Sequence, residues 1–130
     1  MGRRSEREVA FKLIFERLFN NRADFLTGVT LVEEQDGVKY DSEFAKIVLE
    51  GVTQNLQSIE QQIKDNLVGY KFERIYKIDL SLLILAIYEM KYQNTDPKIV
   101  INEVVELSKK FSTDKSPAFV NGILSKIING

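Results

Sequence analysis

The sequence predicts an all-α protein of about seven helices. Apolar residues recur at three- and four-residue spacing along nearly the whole chain, recognisable helix-start signals precede several of these stripes, and no stretch reads as a convincing strand.

The first element opens on Ser5-Glu6-Arg7-Glu8, which has the spacing of a capping box: Ser5 would accept from a first-turn amide while Glu8 reaches back to the Ser5 amide. A helix is expected from Glu6 to about Asn20, with Val9, Ala10, Leu13 and Ile14 as its apolar stripe and Phe11, Phe15 and Leu18 widening it. Between residues 20 and 42, Thr27, Gly28, Val29 and Thr30 are weak helix formers and Gln35-Asp36-Gly37 reads as a loop, so only Asp24 to Glu34 is assigned as helix. Asp41 then caps a helix running to about Asn55 on Phe44, Ile47, Val48, Gly51 and Val52. Ser58 and Gln61 repeat the capping-box spacing and start the next, with Ile59, Ile63 and Leu67 on one face and Gly69 at its end.

The segment Asp79–Met90 is apolar at nine of twelve positions, so it is expected at the centre of the fold, with Asp79 capping its start. Asp96-Pro97 and Ser116-Pro117 each put a capping residue before a proline, which is tolerated at the first helical position because its missing N–H had no partner there. The two helices they open run to about Phe111 on Val100, Val104 and Leu107, and to the chain end on Val120, Ile123, Leu124, Ile127 and Ile128. Gly51 and Gly122 lie inside helical patterns, where glycine costs about 1 kcal/mol relative to alanine; both are read as points of close helix approach.

Composition narrows the function. The 130 residues fit one domain, or two small helical subdomains sharing a core, and contain no histidine, cysteine or tryptophan. Disulfides, His- or Cys-based zinc sites, cysteine nucleophiles and His-dependent triads are thereby excluded. No window has the roughly 18 apolar residues of a membrane span, and the basic start leads into mixed rather than uninterrupted apolar sequence, so no signal peptide is read. A cytoplasmic protein with no cofactor and no metal is expected. The polar groups on the apolar helices, Asp79, Tyr88, Glu89, Asn102 and Glu103, each have a simpler structural role than acid–base chemistry, and no enzyme is expected.

The net charge of −1 argues at first against a nucleic-acid partner, but the charge is uneven. Residues 1–17 carry five Arg or Lys against three Glu, residues 98–130 five against three acids, and the middle eight against thirteen. Arg3, Arg4 and Arg7 gather at a helix start whose free amides also favour anions, and Lys109-Lys110 end a helix just before the loop Ser112–Ser116. Phe15 and Phe119 are the aromatics nearby, a combination that suits single-stranded nucleic acid. The same arginines also fit a solvated chain end, the lysines fit a helix C-terminus, and each phenylalanine fits a core.

The motifs Ile101-Asn102-Glu103 with Val105-Glu106-Leu107-Ser108-Lys109-Lys110-Phe111, then Phe119-Val120-Asn121-Gly122-Ile123-Leu124, follow one another at a specific spacing. With Leu83–Glu89 and the opening Arg3-Arg4, Arg7-Glu8 and Ala10, they resemble the NusB family of bacterial transcription antitermination factors over most of the chain, residues 20–42 matching poorly. Ile84 and Ala118 depart from it, standing where the family usually has arginine and lysine.

The resemblance implies one domain, residues 1–130, built as two packed helical bundles with subdomains of roughly 1–70 and 71–130, and no catalysis. It implies pairing with ribosomal protein NusE, binding of single-stranded boxA RNA, and action on the transcription elongation complex, notably in rRNA operons. The RNA-facing positions it implies are Arg3, Arg4, Arg7, Phe15, Asp79, Lys109, Lys110, Ser116 and Phe119. The acidic middle would receive the basic partner. Some relatives leave room for a homodimer. The other reading is a helical protein–protein interaction module without RNA binding of its own, like the NusB-like domain fused to some rRNA cytosine methyltransferases; from Met1 to Gly130 no such fusion is expected here.

Overall fold

The most apolar helix sits at the centre. In the computed structural model, which describes residues 2–19 and 43–129, the helix α3 (Lys77–Ile87) is buried at every position from Asp79 to Ile87. Around it pack α1 (Arg3–Phe19), α2 (Glu43–Asp65), α4 (Pro97–Phe111) and α5 (Ser116–Asn129). A short 3-10 turn, Phe72–Arg74, leads into α3, and a π-helical turn, Tyr88–Tyr92, leads out of it. Leu82, Leu83, Ile84, Leu85 and Ile87 are wholly inaccessible, each such side chain contributing about 1.5–3 kcal/mol of burial. Full burial of Ile84 suits the apolar side chain at that position. The buried apolar residues of all five helices form one cluster.

All-helical character holds among the described residues, with five α-helices rather than about seven. The expected Asp24–Glu34 helix and the Asp41 cap lie outside them. The two helices expected over 41–67 are one, α2, because Asn55-Leu56-Gln57 contains no breaker and Leu56 packs against the core between Val52 and Ile59. Ser58 therefore caps nothing: its Oγ accepts from the Tyr92 hydroxyl at 3.1 Å, while Gln61 donates to Asp65 at 2.8 Å. Gly69, at φ +65°, takes the left-handed turn four residues beyond the helix end.

Two more starts differ. α1 begins at Arg3, since the Gly2 carbonyl accepts the Glu6 N–H at 3.1 Å, and Ser5 lies within its first turn. Glu8 does not reach back; its carboxylate takes Lys12 and Lys110, both at 3.1 Å. α3 begins at Lys77, with the Tyr76 carbonyl accepting from Leu80 N–H at 2.9 Å, so Asp79 stands inside the helix rather than at its cap. The Asp96 cap forms as expected, accepting from Lys98 N–H at 3.0 Å ahead of Pro97. Ser116 is different: α5 includes it, Lys115 supplies the first carbonyl to Phe119 N–H at 3.2 Å, and the Ser116 hydroxyl turns inward.

Close approach is met at Gly51, where an added Cβ would overlap the ring and hydroxyl of Tyr88. Tyr88 is in turn stacked on Tyr92, with centroids 5.5 Å apart and planes at 11°. Gly122 is not such a point, because a Cβ there meets nothing within 4 Å.

Candidate functional site

The nine positions expected to face RNA are distributed over separate surroundings. Arg7 is withdrawn from solvent: it is 5% exposed and its guanidinium donates twice to Glu89, at 2.8 and 2.9 Å, where Glu89 is 1% exposed. This bidentate pair joins α1 to the π-helical turn and cannot meet a phosphate while it holds. Arg7, expected to face RNA, stands here in a buried ion pair; its helical register places it on the core-facing side, next to Ala10 and Ile14.

The remaining cations of this set are matched by acids. Arg4 donates to both carboxylate oxygens of Glu103, at 2.9 and 3.0 Å, tying α1 to α4. Those hydrogen bonds, followed by the attraction of the charge, hold the Glu103 carboxyl below the usual carboxylate range; the same contact raises the Arg4 guanidinium. Lys109 pairs with Glu106 and Lys110 with Glu8, each at 3.1 Å, and the Lys110 ammonium also lies 5.0 Å from the Phe111 ring centroid. Arg3 lies 3.9 Å from Glu6 and 4.1 Å over the ring of Phe44. Arg4, Lys109 and Lys110 share one surface cleft, and Arg3 and Arg7 line another beside Glu89. Phe15 is partly buried on α1.

Asp79, Ser116 and Phe119, in contrast, come together. Asp79 is 3% exposed, and its carboxylate accepts from Ser112 Oγ at 2.6 Å and from Ser116 Oγ at 3.0 Å. Ser116 Oγ also accepts from the Thr113 N–H at 3.2 Å, so one buried acid on α3 fixes the turn between α4 and α5. Asp79 and Ser116, both buried, act within the fold by holding the loop that bears Lys115 and leads to Phe119.

Beside this loop opens a cavity of about 620 Å³ lined by Tyr70, Tyr76, Asp79, Thr113, Asp114, Lys115, Ser116 and Phe119. Tyr70 packs on Phe119 with ring centroids 5.3 Å apart, and its hydroxyl donates to the Arg74 carbonyl at 3.2 Å. Tyr70 is 43% exposed and Tyr76 59%. Lys71, Arg74, Lys77 and Lys115 are exposed and form no ion pair among the described residues. Sequence reading missed Tyr70, Tyr76 and Lys115, although Tyr70-Lys71-Phe72-Glu73-Arg74-Ile75-Tyr76-Lys77 interleaves aromatics with cations in the manner of a nucleic-acid contact.

Among the described residues, fold and cavity define an all-helical protein whose buried polar groups hold a loop in place beside an open cavity. The chain belongs to the NusB family, whose model matches residues 4–129. It is 36% identical over 143 residues to transcription antitermination protein NusB of Clostridium botulinum (strain Kyoto / Type A2), covering 98% of this chain and 100% of the relative. Its fold is similar to that of T. maritima NusB, with a TM-score of 0.85 at 29% identity over 99% of this chain and 92% of the other. It is also similar, at TM-score 0.85 and 24% identity over 98% and 96% of the two chains, to the crystal structure of antitermination factors NusB and NusE in complex with dsRNA. The family is one of transcription antitermination factors rather than of enzymes. No helix among the described residues is long and apolar enough to cross a membrane.

Proposed function

We propose that this chain is an antitermination factor that binds single-stranded boxA-type RNA jointly with ribosomal protein NusE, supporting transcription of rRNA operons. The observation that carries the reading is the loop fixed by Asp79: it holds exposed Lys115 and the aromatic Phe119 at one cavity, pairing a phosphate contact with a base contact. Family membership, and the similar structure solved with NusE and dsRNA, support NusE and RNA as the partners. Because Arg4, Lys109 and Lys110 are already matched by Glu103, Glu106 and Glu8, the isolated chain presents little free positive charge on the α1–α4 side and binds RNA weakly until the basic partner joins.

A gel-shift with boxA-type and scrambled RNA, with and without NusE, tests this. The expected result is a NusE-dependent shift that favours boxA-type RNA. Equal shifts on both RNAs would remove the boxA assignment, and a NusE complex that shifts neither would leave a protein–protein interaction module in place of an RNA binder.

A further inference from the structure

Two exposed tyrosines in one cavity call for an explanation, because a large aromatic side chain left in water has forgone its burial. Tyr70 is immobilised at both ends, by the Phe119 ring at 5.3 Å and by its hydroxyl on the Arg74 carbonyl at 3.2 Å, yet 43% of it stays open. Such a ring loses little freedom when a flat partner settles on it. Tyr76 lines the same cavity, is more exposed still, and precedes the first residue of α3.

The charge around these rings identifies the partner. Residues 70–77 carry Lys71, Arg74 and Lys77 against a single acid, Glu73, and Lys115 faces the cavity from the α4–α5 loop. All four cations are exposed and unpaired among the described residues, unlike those of the α1–α4 side. Of the acids that line the cavity, Asp79 is committed to Ser112 and Ser116, which leaves Asp114 as the one opposing charge. Rings to stack on, with free cations at their edge, fit the alternating bases and phosphates of a single strand.

We propose that the 70–77 segment is an RNA-contact element of this chain: Tyr70 and Tyr76 stack unpaired bases beside Phe119, and Lys115 meets an adjoining phosphate. The inference rests on the RNA reading above and extends it to a segment outside Arg3–Ala10, Leu83–Glu89, Ile101–Phe111 and Phe119–Leu124. Stacking on a tyrosine face is tolerant of base identity, so these rings supply affinity shared by all sequences.

Fluorescence anisotropy with labelled boxA-type and scrambled single-stranded RNA, at saturating NusE and several salt concentrations, tests it. Tyr70→Ala and Tyr76→Ala are each expected to weaken binding by about fivefold or more, equally on both RNAs and with unchanged salt slope. Tyr70→Phe keeps the ring and is expected to bind as the parent does. Lys115→Gln lowers the salt slope by about 0.7, the share of one phosphate contact on a single strand. Parent binding that is weakened by Phe119→Ala but indifferent to both tyrosine variants would overturn this inference while leaving the RNA reading intact. Absence of RNA binding by the parent complex overturns both. Loss of NusE affinity in the tyrosine variants, measured by calorimetry without RNA, would make the segment a protein-docking surface instead and likewise overturn it.

Discussion

Arg7→Ala distinguishes a structural arginine from an RNA contact. Arg7 and Glu89 are 5% and 1% exposed and share two hydrogen bonds of 2.8 and 2.9 Å, so truncating Arg7 strands a carboxylate inside the fold. Breaking a buried pair by removing one partner costs about 3–5 kcal/mol, a large part of the roughly 5–15 kcal/mol that holds a domain folded. With a urea dependence of about 2 kcal/mol per molar, the unfolding midpoint falls by roughly 1.5–2.5 M. Because the penalty comes from the stranded charge, removing both charges is much milder: Arg7→Met with Glu89→Leu restores most of the midpoint. Urea titrations of the parent, both single variants and the double variant measure the coupling directly. An Arg7→Ala protein that unfolds at the parent midpoint but loses RNA binding would refute the structural assignment.

The two helical glycines are expected to respond in opposite directions. Gly51→Ala pushes a methyl into Tyr88, which is stacked on Tyr92, and is expected to lower stability by about 1–3 kcal/mol in thermal melts; Gly122→Ala adds a methyl in open space and gains roughly 0.5–1 kcal/mol of helix stability. Glu103 contributes to the acid limb: its folded carboxyl titrates below its unfolded value, so the contribution is complete above the unfolded value and disappears as pH falls through the lowered one. Melting temperatures of the parent and Glu103→Gln are therefore expected to differ near neutrality and converge in acid. Asp79→Ala leaves Ser112 and Ser116 without their acceptor, costing about 1–3 kcal/mol, and hydrogen exchange is expected to quicken at the Thr113 and Ser116 amides.

What the sequence reveals is what is local. Asp96 caps α4 because its acceptor meets an amide only two residues on, and the central position of α3 follows from its own apolar run. Ser5-x-x-Glu8 and Ser58-x-x-Gln61 have equally good spacing, yet both lie inside continuous helices, where the packing of Val9 and Ala10, or of Val52 and Ile59, outweighs a capping preference worth about 1 kcal/mol. Side-chain partners are illegible in the sequence where they are remote. Arg7 finds Glu89 across 82 residues, Arg4 finds Glu103 across 99, and Asp79 finds Ser112 and Ser116 across 33 and 37. A charged residue whose partner lies that far along the chain looks free in the sequence. Tyr70 shows the converse, since its place beside Phe119 exists only once α5 packs against the rest.

This separation of paired from unpaired cations makes the near-neutral net charge a quantitative statement about RNA binding. A cation that exchanges a carboxylate for a phosphate releases a counterion from the RNA but exposes the carboxylate it leaves, so paired residues add little net attraction. If only Lys71, Arg74, Lys77 and Lys115 engage phosphates, four contacts at about 0.7 each give a slope of log affinity against log salt near −3 for the chain without its partner. Anisotropy titrations over a range of salt concentrations measure that slope. A value well beyond −3 would mean that further cations engage the RNA, either other exposed lysines such as Lys98 and Lys126 or Arg4, Lys109 and Lys110 deserting Glu103, Glu106 and Glu8. Glu103→Gln, which frees Arg4 in advance, separates the two: it would strengthen binding if Arg4 deserts Glu103, whereas a slope near −3 predicts that it leaves RNA affinity almost unchanged.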